Sequence, residues 1–232
     1  MGDEKDRLRY FGLEEPPPFA GTILKAWSEA EFRDIEPYVV EEQRLENASV
    51  NVFRVVGTRH PDYAGKSWLD LLMHGRRMMA NLPLFRDNPG YYLETGSKSP
   101  YMHYQSIDGG DVYIGDEGNH RTCIARFFYF TRGLTTIHGI TLDDYRVDRV
   151  FKEACDRLKR IAAEKNRPIH LTVEKTLIDR QDAAGWRLDR FALLARVEDL
   201  RCHETYRLDK DGLYQLMETF GKPWWRRRLW QG

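Results

Sequence analysis

The stretch MHYQSIDGGDVYIGDEGNHRTCIARFFYFTRG, residues 102–133, decides the fold because it joins two strands and a helix with little chain between them. Its residue pattern predicts a strand over 102–107 and a second strand over 112–114. The turn Asp108-Gly109-Gly110-Asp111 between them predicts a β-hairpin. A helix is expected to follow over 120–130, with its apolar side buried.

The loop between the hairpin and this helix is polar and reads Asp116-Glu117-Gly118-Asn119-His120-Arg121-Thr122. The first N–H groups of a helix have no acceptor within the helix, and together with the helix dipole they attract anions. A strand, a glycine-containing loop and a helix start in this order therefore predict a site for a phosphate-bearing ligand.

Several residues of this loop have side chains or backbone suited to a phosphate. Arg121 can grip phosphate oxygens with two parallel hydrogen bonds, and His120 can donate a hydrogen bond or carry a proton. The predicted phosphate-binding residues are Gly115, Gly118, Asn119, His120, Arg121 and Thr122. The alternative is structural: Asn119 is only a helix N-cap, and the charged side chains of the loop are solvated.

Two carboxylates, Asp116 and Glu46, are the candidate metal ligands, since magnesium beside a phosphate prefers oxygen ligands. If the site is catalytic, His120 would donate or accept a proton and Arg121 would neutralise developing charge. Asp116 and Glu46 complete the set of candidate catalytic residues. The alternative for Glu46 is a solvated acidic stretch, and Asp116 could simply favour the helix dipole.

The sequence Gly118-Asn119-His120-Arg121 resembles the short motif of the ParB/sulfiredoxin superfamily, which is GERR-like in ParB partition proteins and GGCHR in sulfiredoxins. In that superfamily the motif binds nucleotide phosphates at the start of a helix. The resemblance covers roughly residues 39–140. It implies a ParB/sulfiredoxin-like core with ATP or another nucleotide, and possibly Mg²⁺, as ligands.

Asn119 stands where sulfiredoxins carry their catalytic cysteine and ParB proteins carry a glutamate. The resemblance therefore points to other members of the superfamily, which include nucleases, nucleotide-using kinases and plasmid fertility-inhibition factors. It implies an ATPase- or DNase-type phosphohydrolase of a bacterial plasmid or mobile element. The alternative is a non-enzymatic protein that inhibits or binds a partner, for example a conjugation fertility-inhibition factor.

The expected fold class is α/β (α+β), a mixed sheet with flanking helices. Pro16, Pro17 and Pro18 predict an extended N-terminal arm over 1–20. The ParB/sulfiredoxin-like domain would then span 21–145, and an α/β extension packed on this core would span 146–232.

A helix is expected from Ser67, its N-cap, through Leu82. It would carry His74, Arg76 and Arg77, for which a solvated helix face is favoured over the phosphate site. The preceding Gly65-Lys66-Ser67 fails as a Walker A loop because His60 stands where that loop needs a glycine.

The C-terminal tail over 222–232 is basic and aromatic, with Trp224, Trp225, Arg226, Arg227 and Arg228 as candidate contacts to DNA or other nucleic acid. The alternatives are a protein partner, an acidic membrane surface, or a tail folded back on the core.

The composition sets limits on the class of protein. Lysine plus arginine and aspartate plus glutamate each number 36, so no global positive field attracts nucleic acid. The three cysteines are widely spaced, which makes a disulfide framework or a structural zinc site improbable. We expect a cytoplasmic protein, since neither a signal peptide nor an apolar membrane-spanning run is recognisable.

Overall fold

A computed structural model describes residues 4–221 of the chain. It confirms the expected α/β class, because helices flank a nine-stranded sheet of parallel and antiparallel strands within the described residues. The chain divides into two compact units. Of the described residues, the first unit comprises 4–29, 42–145 and 181–188, and the second comprises 30–41, 146–180 and 189–221.

Helices and strands are interspersed along the sequence of both units. The helices are α1 (Glu4–Glu14), α2 (Glu29–Ile35), α3 (Trp68–His74), α4 (Met78–Asp87), α5 (Gly90–Leu93), α6 (Asn119–Arg132), α7 (Arg149–Glu164) and α8 (Lys210–Gly221). The strands are β1 (Lys25–Ala26), β2 (Val39–Asn51), β3 (Val55–Thr58), β4 (His103–Ile107), β5 (Val112–Ile114), β6 (Thr136–Val147), β7 (Ile169–Ala183), β8 (Trp186–Asp199) and β9 (Glu204–Leu208).

The sheet of the first unit places the strands in the order β1-β3-β5-β4-β6. β3 runs parallel to both β1 and β5, and β4 runs antiparallel to β5 and parallel to β6. The predicted hairpin is confirmed, with Gln105 opposite Tyr113. Because β5 leads directly into the loop before α6, this hairpin fixes where the helix begins.

Helix α6 is the central helix of the first unit, since ten of its residues are buried. Cys123 is fully buried, and burial raises the pKa of its thiol. Arg126 is buried as well: its Nη1 donates to the carbonyl oxygens of Val52 at 2.7 Å and Val55 at 2.8 Å, and its guanidinium lies over the Trp68 ring. A charged group thus anchors the chain before β3 to the helix, within an otherwise apolar core.

In the second unit, the Asp148 side chain caps α7 by accepting from the backbone N–H of Phe151 at 2.8 Å. Strands β8 and β9 pair antiparallel. Arg180 and the buried Asp189 form a two-pronged ion pair with N–O distances of 2.6 and 3.0 Å. In the stretch that the structure covers, no helix is long and apolar enough to cross a membrane.

Two local expectations were wrong. Most of the predicted N-terminal arm is helix α1. Pro16 and the prolines after it lie beyond the end of this helix, so they terminate the helix but do not prevent it from forming. The single helix expected from Ser67 through Leu82 is two helices, because the chain leaves helical geometry at Gly75 with ψ 129°. Ser67 itself caps α3 as predicted. The C-terminal tail over 222–232 lies outside the described residues.

Candidate functional site

A cleft lies at the start of α6 in the first unit, with a volume of about 180 Å³. We term it the α6 cleft. The residues that line it are His60, Asp62, Tyr63, Arg76, Arg77, Asn81, Asp116, Glu117, Gly118, Asn119, His120 and Arg121. Six of the seven residues of the predicted loop therefore meet around one opening with the two arginines after Gly75 and with residues that follow β3.

Gly118 holds the N-cap position of α6 with φ 116° and ψ 1°, a left-handed conformation that favours glycine. Its carbonyl oxygen accepts the N–H of Thr122 at 2.7 Å, which is the first hydrogen bond of the helix. The earlier N–H groups of α6 have no acceptor within the helix and lie beside the cleft. The alternative expectation that Asn119 is the helix N-cap was wrong, because Gly118 holds that position.

Asn119 is 5% exposed, and its amide orientation is set by Thr58 at the end of β3. The Thr58 hydroxyl donates to Asn119 Oδ1 at 2.6 Å and accepts the backbone N–H of His60 at 2.9 Å. The Nδ2 group of Asn119 is left without an acceptor among the described residues. Asn119 therefore offers the cleft a fixed, neutral hydrogen-bond donor.

His120 is 7% exposed and is held between two elements that line the cleft. Its Nε2 accepts the backbone N–H of Arg77 at 3.1 Å, and its ring packs edge-on against Tyr63 with centroids 5.1 Å apart. Burial, reinforced by the positive charge of Arg77, lowers the pKa of His120 to about 4. The ring is therefore neutral near pH 7 and carries its proton on Nδ1, which has no acceptor in the described part of the chain.

This geometry changes the role expected for His120. A pKa of about 4 makes it a weak proton carrier near neutral pH, since it holds almost no proton to give up as an imidazolium. The Nδ1–H group acts instead as a second neutral donor beside that of Asn119.

Arg121 lines the cleft, but its guanidinium is already engaged. Nη1 donates to the carbonyl oxygen of Pro100 at 2.7 Å, and Nη2 pairs with Glu117 at 3.1 Å. Tyr91 adds a weaker contact through its hydroxyl at 3.4 Å. Because the side chain is only 12% exposed and its charge is balanced by Glu117, Arg121 contributes less free positive charge than the sequence suggested.

Arg76 and Arg77 supply the free positive charge instead. They lie in the turn between α3 and α4, are exposed, and have no side-chain partner in residues 4–221. The favoured expectation of a solvated helix face was right about exposure, but the two residues lie in a turn and not on a helix face, and they line the cleft. A Cβ on Gly75 would lie 2.5 Å from the carbonyl oxygen of Leu71 and 3.0 Å from the His120 ring, so the glycine lets this turn approach α6.

Tyr63 adds another donor to the cleft wall. It is 6% exposed, burial raises its pKa, and its hydroxyl has no hydrogen-bond partner among the described residues. Its ring lies 4.5 Å from that of His60. No sequence pattern singled out Tyr63, because its role depends on packing against His120.

Asp116 ends a chain of charged groups beside the cleft. His103 Nδ1 lies 2.5 Å from Asp116 Oδ1, and His103 Nε2 lies 2.9 Å from Asp143 Oδ2. Arg44 contacts the same Asp143 oxygen at 3.4 Å, and the Tyr101 hydroxyl donates to Asp116 at 3.0 Å. Burial alone would lower the pKa of His103, but the hydrogen bonds to the two carboxylates outweigh it and raise that pKa above 6.5.

Three of the sequence-predicted site residues lie away from the cleft. The Thr122 hydroxyl is buried and bonds to that of Tyr104 at 2.7 Å, so it faces the core. Gly115 is not on the cleft, and a side chain there would overlap the His103 ring. Glu46 is exposed on β2, where its backbone N–H bonds to Gly185.

The expected magnesium ligands, Asp116 and Glu46, do not meet at the cleft, and both Asp116 oxygens already accept hydrogen bonds. No group of three or more histidine, cysteine, aspartate or glutamate side chains suited to a metal occurs among the described residues. The residues present therefore do not form the metal site that the sequence suggested. The candidate nucleic-acid contacts Trp224, Trp225, Arg226, Arg227 and Arg228 fall in the tail beyond the described residues.

No family model, no curated protein and no solved structure matches this chain. The likeness to the ParB/sulfiredoxin superfamily thus rests on the short motif at the start of α6.

Proposed function

We propose that the α6 cleft binds a phosphate group of a nucleotide or of a nucleic acid. The observation that carries this proposal is a pair of neutral donors at the start of a long helix, Asn119 Nδ2 and His120 Nδ1, which belong to buried side chains and have no acceptor among the described residues. The motif resemblance points to the same ligand chemistry.

The donors favour a ligand rich in acceptors. Asn119 Nδ2 and His120 Nδ1 are open to an acceptor in the cleft, because neither donates to another described residue. A phosphate offers several strong acceptor oxygens to donors that are already held in place by Thr58 and by the Arg77 backbone. The first backbone N–H groups of α6 add further hydrogen-bond donors for an anion.

The charges of the cleft favour an anion at one wall. Arg76 and Arg77 have no acidic partner in the part of the chain that the structure describes, whereas Arg121 is balanced by Glu117. His120 is uncharged near neutral pH, so it adds a hydrogen bond without adding charge. Two guanidinium groups beside the start of α6 are a suitable match for phosphate.

A second candidate function is hydrolysis of the bound phosphate ester, as in an ATPase or a DNase of a plasmid or mobile element. The observation that favours it is the chain Asp116–His103–Asp143, which holds a cleft carboxylate where it could orient a water molecule. Water would attack phosphorus and pass its proton to Asp116 or to solvent, and the bond to the leaving oxygen would break with its electron pair on that oxygen, which would take a proton from solvent where it leaves as an alkoxide. Without turnover, the same cleft would serve a non-enzymatic inhibitory or partner-binding protein.

The test is binding and turnover of ATP, CTP and GTP, each with and without magnesium. The variants are Arg76→Gln/Arg77→Gln and, as a matched control, Arg132→Gln, which removes an exposed arginine from the opposite end of α6. We expect binding by the wild type and the control, and at least about tenfold weaker binding by the double variant.

Single-stranded and double-stranded DNA extend the test to nucleic acid, with cleavage measured beside affinity. Binding without turnover supports the non-enzymatic protein, and turnover supports the hydrolase. If no nucleotide and no DNA binds, the proposed function is wrong. Repeating the DNA measurements after removing residues 222–232 shows whether the tail contributes to affinity or to cleavage.

A further inference from the structure

We infer that the α6 cleft takes a terminal phosphate monoester and rejects an internal phosphodiester. This inference rests on the proposed function and narrows it to one chemical class of ligand: a mononucleotide or a nucleic-acid end that carries a phosphate. It follows from the number of donors, from the free charge and from the acids that share the cleft.

The cleft has more hydrogen-bond donors than a phosphodiester has oxygens to accept from them. Asn119 Nδ2, His120 Nδ1 and the Tyr63 hydroxyl have no partner among the described residues, and the first N–H groups of α6 lie beside them. Each of the three side chains is more than nine-tenths buried, so its direction is fixed by packing. A monoester has three terminal oxygens to accept from them, whereas a diester has two non-bridging oxygens.

The free charge also matches a monoester. Arg76 and Arg77 are the cleft cations without a partner in residues 4–221, since Arg121 is paired with Glu117. A phosphate monoester carries a charge between about −1.5 and −2 near pH 7, and a diester carries one negative charge. Two unpaired guanidinium groups therefore complement the monoester.

The acids of the cleft work against a continuing nucleic-acid backbone. Asp62 and Asp116 line the same opening as the arginines, while the charge of Glu117 is balanced by Arg121. An internal phosphodiester has a phosphate on either side, and a chain leaving the cleft in both directions would bring such phosphates near these carboxylates. Like charges brought together in this way disfavour binding. A ligand with a terminal phosphate leaves the cleft in one direction only, so it meets fewer of these charges.

The test uses the full chain and probes without a base. Inorganic phosphate, methyl phosphate and dimethyl phosphate are titrated while the backbone amide signals of Gly118 and Asn119 are followed by NMR. We expect methyl phosphate to bind at least about fivefold more tightly than dimethyl phosphate at pH 7. A smaller preference overturns the inference and leaves phosphate binding intact.

The same comparison is made with one oligonucleotide, 5′-phosphorylated and 5′-hydroxyl, in the wild type, Arg76→Gln/Arg77→Gln and the control Arg132→Gln. The phosphorylated end should bind at least about fivefold more tightly in the wild type and in the control, and the double variant should lose that preference. Equal binding of both oligonucleotides to the wild type overturns the inference. If neither methyl phosphate nor any oligonucleotide binds, the proposed function fails and the inference fails with it. Thermal melting of each variant shows that a lost preference is not a lost fold.

Discussion

The backbone N–H of Arg77 donates to Nε2 of His120 at 3.1 Å, and this hydrogen bond joins the turn after α3 to the first turn of α6. It fixes the tautomer of His120 and holds the two arginines of the turn beside the helix start. The hydrogen bond between Thr58, at the end of β3, and Asn119 likewise fixes the orientation of the Asn119 amide. Both contacts are made by neutral groups, and each leaves a donor for the cleft.

Asn119→Asp should weaken phosphate binding. The aspartate keeps an oxygen to accept from Thr58, but it replaces the free Nδ2 donor with a negative charge beside the ligand. We expect affinity for methyl phosphate to fall at least about tenfold, measured by NMR titration. The matched control is Asn51→Asp, which makes the same exchange where Asn51 caps the turn before β3. Equal affinity of Asn119→Asp and wild type would rule out the role given to Nδ2.

Gly118→Ala and Gly133→Ala place the same strain at the two ends of α6, since both glycines have left-handed backbone with φ 116° and φ 65°. Each should lower the free energy of unfolding by about 1–3 kcal/mol. Only Gly118→Ala should weaken phosphate binding, because only Gly118 lies at the cleft. Denaturant unfolding gives the stability, and the phosphate titration gives the affinity. A loss of affinity in both variants would show that helix stability, and not the geometry at Gly118, controls binding.

His120 should make the protein sensitive to acid. Its folded pKa is about 4 and its unfolded pKa is near 6.5, so the unfolded state binds the extra proton first as the pH falls. The free energy of unfolding is expected to drop between pH 6.5 and pH 4 by no more than about 3 kcal/mol from this residue. His120→Gln should flatten that part of the profile relative to wild type, and the exposed His74→Gln should not. An unchanged slope in His120→Gln would contradict a buried neutral ring.

His103 should change the pH dependence of the free energy of unfolding in the opposite sense. Its folded pKa is raised above 6.5, so its stabilising contribution is complete below pH 6.5 and is lost as the pH rises through the folded pKa. Asp143→Asn removes one of the two carboxylates and should lower the His103 pKa, as followed by the NMR signal of the ring. Phosphate affinity should also fall as the pH passes the His103 pKa, because Asp116 then keeps its charge without a cationic neighbour. A His103 pKa at or below 6.5 in the wild type would disprove this reading.

Arg126→Met should be strongly destabilising although it makes the core more apolar. The carbonyl oxygens of Val52 and Val55 would lose their donor in a buried environment. We expect a loss of about 2–4 kcal/mol in the free energy of unfolding. Arg126→Lys, which keeps a charge but has one ammonium group, should recover only part of that loss. A neutral effect of Arg126→Met in chemical denaturation would show that the apolar rings around Arg126 outweigh its hydrogen bonds.

The elements nearest the cleft could be predicted because their signals are local. The turn Asp108–Asp111 specifies a hairpin, and Gly118 and Gly133 bound α6 by backbone conformations that favour glycine. For the same reason the strand, loop and helix start could be placed in order from the sequence.

The side chains that complete the cleft depend on contacts between residues far apart in sequence. Arg76 and Arg77 were assigned to a continuous helix, since the close approach of Gly75 to the His120 ring is a contact between residues far apart in sequence. His103 and Asp143 meet because β4 and β6 pair in parallel, which no motif encodes. Thr122 was assigned to the ligand by its position in the motif, but Tyr104 binds its hydroxyl in the core.

The turn between α3 and α4 places Arg76 and Arg77 outside the core, while the groups that shape the cleft lie inside it. If the cleft binds phosphate as proposed, substitutions at these two positions should change the ligand charge that it accepts while the packing of α6 stays as it is. For protein engineering, that separation makes the turn the place to redesign specificity, with Asn119 and His120 kept as a constant scaffold.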